Sequence, residues 1–220
     1  MDSNGDMERL PRGRHGLPPE FVARNQRERL IAGLIQALYE EGYQKTTVAT
    51  IGQRAAVSKS DFYKHFESKD DCFIAAYDAA VDHIRRHLLG ACETASGQDW
   101  TSRLSVGIEA LLEQLDAEPA LASIVLVEGL RAGRGVYDRY QVAVESFVEL
   151  IDEGAPRSAG GAEVPPTTDE AVVGGIASML GRRLLAGEGE KLSELFPEIL
   201  EFVLAAYLGA EEARRIVSAG

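Results

Sequence analysis

Between Thr46 and Lys69 the chain gathers hydroxyl, ammonium and imidazole donors at close spacing: Thr46, Thr47, Ser58, Lys59, Ser60, Tyr63, Lys64, His65 and Lys69. Donors of this kind suit two sorts of acceptor. Phosphate oxygens take hydrogen bonds from hydroxyl and ammonium groups, and guanine O6 and N7 take them from lysine. Thr47, Ser58 and Ser68 also stand where helices are expected to start. A helix N-terminus carries partial positive charge and open amide donors, so each adds to an anion-binding surface.

Such a surface needs two short helices held at a fixed angle. Thr47 is a good N-cap for a helix running to about Ala55, and Ala56-Val57 makes the corner. Ser58 caps a second helix, with Asp61 placed to return a hydrogen bond to the Ser58 amide in a capping box. Ile51, Ala55, Val57, Phe62 and Phe66 are spaced to face inward across the corner. Lys59, Ser60, Tyr63 and Lys64 are left outside. A short helix with an exposed, basic, hydroxyl-bearing N-terminus, braced by the helix before it, has the geometry for entering a DNA major groove.

The stretch TVATIGQRAAVSKSDFYKHF resembles the DNA-binding motif of the TetR family of bacterial transcriptional regulators. The matching features are T-T-V-x-x-I from Thr46 to Ile51, A-x-V-S from Ala55 to Ser58, F-Y-x-H-F from Phe62 to Phe66, and Ser68-Lys69 after it. One position departs: the family's turn usually carries glycine where this chain has Ala56. Alanine at positive φ costs energy, so a slightly strained turn is expected.

The resemblance implies an all-α fold. An N-terminal three-helix helix-turn-helix DNA-binding domain would occupy residues 19–70, after a flexible basic arm over 1–18. An α-helical ligand-binding and dimerisation bundle would follow over 71–220. Together with exposure, it assigns Lys59, Ser60 and Lys64 to base edges and Tyr63 to a phosphate or a thymine methyl. Thr46, Thr47, Ser58, His65 and Lys69 would line the phosphate side. A small-molecule pocket within the bundle would draw on Phe73, Tyr77, Trp100, Leu112, Tyr137, Tyr140 and Phe147. The C-terminal helices would pair with their twins in a homodimer through Val172, Gly175, Ile176, Met179, Phe202, Val203 and Ala206. Such a dimer reads a pseudo-palindromic operator in double-stranded DNA, with half-sites roughly 34–36 Å apart.

Periodicity supplies the other elements. Leu30, Ile31, Leu34, Ile35 and Leu38 mark a helix from about Pro19 to Glu41, stopped by Gly42. Arg24, Arg27 and Arg29 precede that stripe, either solvated or reaching phosphate. Further helices are expected from Ser68 to about Cys92, Asp99 to Ala117, Pro119 to about Leu130, Val136 to Glu153, Thr168 to about Ala186 and Pro197 to Leu208, with a short tail helix after Gly209. Residues 154–166, GAPRSAGGAEVPP, read as a linker. The arm's Arg9, Arg12, Arg14 and His15 either reach a phosphate or the minor groove, or form a tail without a role.

A net charge of −12 conceals an asymmetry. Residues 9–69 hold 11 Lys and Arg against 6 Asp and Glu, whereas residues 70–220 hold 12 against 26. The acidic part is repelled by phosphate and orients the basic part toward it. Cys72 and Cys92 lie roughly 30 Å apart along one expected helix, too far for a bridge, and read as thiols in a reducing compartment. No signal peptide and no membrane span is legible, so a cytoplasmic protein is expected. His83 and His87, four apart beside Asp82, have metal-ligand spacing, but no third ligand is evident and no metal is expected. The chain lacks a P-loop, G-x-S-x-G, H-E-x-x-H and a dinucleotide fingerprint, so neither an enzyme nor a cofactor is expected. The leading reading is a repressor released by a small molecule whose identity the sequence does not give. The alternatives are an activator, a regulator controlled by a protein partner, and a ligand-binding dimer without DNA binding.

Overall fold

The computed structural model describes residues 18–129, 134–159, 162–187 and 191–219. Residues 1–17 of the basic arm lie outside the described residues, and Pro18 precedes the first helix. The chain divides into two compact units, the first reaching to Ala76 and the second starting at Tyr77.

Three helices and the start of a fourth make the first unit: α1 Pro19–Glu41, α2 Val48–Ala55, α3 Lys59–His65 and α4 Lys69–Thr94. Proline at the first position of α1 has its φ preset for a helix and its missing amide would be unpaired there anyway. Leu30, Leu34 and Leu38, one turn apart, are buried against the other helices. Gly42, at φ 75°, ends α1, and its amide bonds back to Leu38. The Thr47 hydroxyl accepts from the Thr50 amide at 3.1 Å and starts α2. Gly33 lets α1 approach α2, since a Cβ there would lie 3.1 Å from the Ile51 carbonyl. Phe62 and Phe66 are buried under the corner, each worth about 1.5–3 kcal/mol in water removed from apolar surface.

The second unit contains the rest of α4, then α5 Trp100–Ala117, α6 Pro119–Ser123, α7 Arg134–Asp152, α8 Thr168–Ala186, α9 Phe196–Leu208 and α10 Ala210–Val217. Asp99 caps α5 by accepting from the Ser102 amide. His83 on α4 meets Gln114 and Glu118 on and just after α5, so α4 and α5 form an antiparallel pair. Arg139 pairs with Asp78 and Arg85 with Glu149, so α7 runs alongside α4 in the same direction. Asp116 accepts from the amides of Leu192 and Ser193, fixing the one-turn 3-10 helix Leu192–Leu195 that leads into α9.

Two local features depart from the expected helices. Residues Ile124–Glu128, read as plain α-helix, form a π-helical turn that continues α6. The linker folds back on itself, pairing Ser158 with Glu163 and Ala159 with Ala162 as two-residue antiparallel strands. Its base is fastened by Arg157, which pairs with Asp152 and reaches Asp169 at 3.2 Å, while the Tyr207 phenol donates to Asp169.

Candidate functional site

The corner between α2 and α3 is narrow because of Gly52, not residue 56. A Cβ on Gly52 would lie 2.7 Å from the Val57 carbonyl oxygen, and the Val57 amide bonds to Gly52 at 2.9 Å. Ala56 takes the left-handed conformation expected to strain it, at φ 50° and ψ 44°. Arg29 of α1 holds this corner by donating to the carbonyls of Ala55 and Ala56. Arg27 lies 5.0 Å over the Phe66 ring. Both arginines therefore brace the motif from behind.

The Ser58 hydroxyl accepts from the Asp61 amide at 3.0 Å, which starts α3. The Asp61 carboxylate, expected at the Ser58 amide, instead accepts from the Ser58 hydroxyl and from Lys64 at 2.7 Å. The Lys64 bond, with the Ser58 bond, holds the Asp61 carboxyl below its usual range. Lys59 and Ser60 are exposed at the N-terminal turn. Among the described residues Lys59 makes no ion pair. Tyr63 is 52% exposed, its ring edge-on to Phe62. Lys59, Ser60, Tyr63 and Lys64 thus stand together on the open side of α3, with Thr47 and Ser58 exposed at the two helix starts.

Three residues expected at phosphates are placed differently. Thr46 is only 2% exposed, and its hydroxyl donates to the Gly42 carbonyl. It is a loop tie because its side chain points inward. His65 is partly buried and shares a hydrogen bond with Gln26 of α1 at 3.1 Å. Burial lowers its pKa, so near neutral pH it is an uncharged packing residue and offers phosphate no charge. Lys69 donates to the carbonyls of Tyr43 at 2.8 Å and Thr46 at 3.1 Å and sits over the Tyr43 ring. An ammonium has three donors, so one stays open to an acceptor.

The second unit encloses a cavity of about 480 Å³. Tyr77, Trp100, Tyr140 and Phe147 line it, beside Ile84, Leu88, Ile108, Leu111, Leu115, Val144, Ile176 and Leu180. The other three aromatic and aliphatic candidates do not. Phe73 belongs to the first unit, edge-on to Tyr43. Leu112 is buried elsewhere in the core, and Tyr137 is 53% exposed and stacks on Tyr140 from outside. Glu93, Ser96, Arg103 and Glu153 form a polar end to the cavity. Arg103 donates to the main-chain carbonyls of Gln98 and Glu153. Cys92, also in the wall, has its thiol pKa raised by burial.

Of the residues expected to join two copies, Val172, Ile176 and Val203 are buried within this one chain. They alternate with the outward positions on the same helices, so spacing alone did not separate the two faces. Gly175 receives the Phe202 ring, which a Cβ at 175 would meet at 2.8 Å. Phe202 is still 39% exposed, with Met179 and Ala206 partly exposed on the same two helices. His83 is engaged by Glu118 and Gln114, and no cluster of three His, Cys, Asp or Glu able to hold a metal occurs among the described residues. No helix among them is long and apolar enough to cross a membrane.

The family profile described as bacterial regulatory proteins, tetR family, matches residues 30–76, which contain α2, α3 and their corner. An uncharacterized HTH-type transcriptional regulator in the lacX 3′ region of Lactococcus lactis subsp. lactis is 33% identical over 69 residues. That match covers 31% of this chain and 35% of the relative, so the chain spans about a third of that protein's length. The HTH-type transcriptional activator FasR of Mycolicibacterium smegmatis is 22% identical over 153 residues, covering 70% of this chain and 69% of that one. The fold is shared with the crystal structure of the transcriptional regulator FadR from Bacillus subtilis in complex with stearoyl-CoA, at a TM-score of 0.70 and 13% identity. That likeness covers 83% of this chain and 98% of the other. Residues 30–76 of this chain thus match the tetR family of bacterial regulatory proteins, and the chain as a whole shares the fold of the FadR regulator.

Gly52 and Gly107, which lines the cavity, were not singled out in the sequence, and Arg29, expected in solvent or at a phosphate, is instead spent on the corner's carbonyls. An invariant spacing to the corner is no signal in one chain, and a glycine within a helical pattern announces only its own low propensity.

Proposed function

We propose that this chain is a ligand-responsive repressor that binds a pseudo-palindromic operator as a homodimer, in the cytoplasm and without enzymatic activity. Residues 19–70 bind DNA, the arm over 1–18 adds phosphate contacts, and 71–220 bind the ligand and the second copy. The observation that carries this reading is the open face of α3. Lys59, Ser60, Tyr63 and Lys64 are all exposed there, while Phe62 and Phe66 on its other side are buried. A helix so divided presents donors to a groove and keeps its angle. The cavity supports ligand control, as does the stearoyl-CoA held by the Bacillus subtilis neighbour. Helix α4 begins in the first unit and lines the cavity in the second, so a ligand that binds one state of α4 better shifts the population of DNA-competent dimers.

Selection of the purified protein on a random duplex library, at stated near-physiological salt, tests this. A palindromic consensus is the expected result. No enrichment over non-specific binding overturns it. A second reading, activation, is favoured by the activator named among the relatives. Transcript levels beside the operator, with and without the gene, separate the two.

A further inference from the structure

The cavity is long and has unlike ends. Its wall includes Tyr77 and Glu93 of α4, roughly 24 Å apart at 1.5 Å per residue, and Arg103 and Leu115 of α5, roughly 18 Å apart. With α4 and α5 antiparallel and α7 running with α4, Tyr77 and Leu115 fall at one end and Glu93, Arg103 and Glu153 at the other. The first end is closed by buried side chains, Tyr77, Leu115 and Leu180. The second opens among exposed charges. About 480 Å³ spread over about 24 Å leaves a mean section of roughly 20 Å², close to that of one hydrocarbon chain. One turn in from the open end stands Gly107, where a Cβ would meet only the Cys92 sulfur, at 3.4 Å. No backbone contact demands glycine there, and its missing side chain keeps the passage open.

The open end is acidic. Among the described residues Glu93 and Glu153 make no ion pair and Arg103 is the one cation in the cavity wall, where it already donates to two main-chain carbonyls. Around them, residues 70–220 carry 26 acids against 12 bases.

We propose that the effector is a slender single-chain lipophile that enters tail-first past Gly107 and leaves a cationic head at Glu93 and Glu153. This rests on the reading of the cavity as the effector site. Anionic heads of the same chain length are disfavoured by the rim and by the field of the whole unit.

Trp100 lines the cavity and is the chain's single tryptophan, so its fluorescence reports occupancy. The probes are dodecyltrimethylammonium, dodecanol, dodecanoate and dodecanoyl-CoA, each below its micelle concentration, on the full chain. At low salt the ammonium is expected to bind about twofold to fivefold tighter than dodecanol, a gap typical of exposed charges, with the two anions weaker still. Added salt and the Glu93→Gln/Glu153→Gln variant close these gaps. Lengthening the tail strengthens binding about fourfold per methylene until it meets the closed end. Gly107→Leu weakens the dodecyl probes roughly fifteenfold, the equivalent of two lost methylenes, while thermal unfolding is kept or raised by the better helix former. Tighter binding of either anion, or Gly107→Leu binding unchanged, overturns the proposal. DNA binding is read separately, on ligand-free protein. A chain that binds operator but none of the four probes loses this inference alone; one that binds neither loses both.

Discussion

Single residues decide how the motif is held. Ala56 sits at φ 50°, where an L side chain crowds its own carbonyl. Ala56→Gly is expected to raise stability by about 1 kcal/mol, the relief exceeding the extra freedom glycine gives the unfolded chain; a urea midpoint that does not rise refutes strain there. Lys64→Ala breaks only an exposed pair with Asp61, so stability should change by under about 0.5 kcal/mol. Selection should return a changed base preference, and an identical consensus would mean Lys64 reads no base. His65 has a pKa lowered by burial, so the unfolded chain takes up its proton first. Stability from this group is intact above the unfolded value of about 6.5 and is lost as pH falls below it. The urea midpoint should drop between pH 7.5 and 5.5, and drop less in His65→Gln. The donors on α3 were legible because outward polar positions on a short helix follow from its inward ones. Thr46 and His65 were misplaced because the same residue types serve equally as loop and interhelix ties. Only their contacts, Thr46 with the Gly42 carbonyl one turn back and His65 with the distant Gln26, tell which.

Elements were legible where the chain carries its own punctuation. Pro19, Thr47, Ser58, Asp99 and Gly42 marked helix ends because each satisfies or omits a terminal hydrogen-bonding group. The π-helical turn after α6 has no such mark, since Ile124, Val125 and Val127 fit an α-helical stripe as well. The close approach at Gly52 was equally silent. Gly52→Ala puts a methyl 2.7 Å from the Val57 carbonyl, and backbone has nowhere to yield. A loss of about 1–3 kcal/mol is expected, with weaker DNA binding even where the protein remains folded. Circular dichroism melts and binding isotherms on the same sample check both.

Across the whole molecule, charge and exposed apolar surface are the readable quantities. Of the basic excess over residues 9–69, Arg9, Arg12 and Arg14 supply three charges, and residues 18–69 alone hold 8 bases against 6 acids. Removing residues 1–17 should therefore flatten the dependence of log affinity on log salt by up to about 2.7, at 0.9 per phosphate; an unchanged slope leaves the arm without a role. Phe202 of α9 and Leu185 of α8 are large apolar side chains left exposed on these two helices. Phe202→Asp should give monomers in sedimentation at micromolar protein and lose tight operator binding together with dimerisation. The resemblance and the helical periodicity foretold the helical class, but not which apolar residues are spent inside one copy, because inner and outer faces of α8 and α9 are almost equally apolar.

The turn at Ile124–Glu128 carries one residue more than an α-helical turn needs. Excising a single residue there would let the segment close up as ordinary helix with the residues on either side facing much as before. The wide turn thus absorbs the extra residue, leaving Leu126 in the cavity wall and Gly129 beneath the Tyr77 ring, which its absent Cβ clears. A one-residue gap at this spot in an aligned sequence would therefore signal a narrower turn and an interior of the same shape.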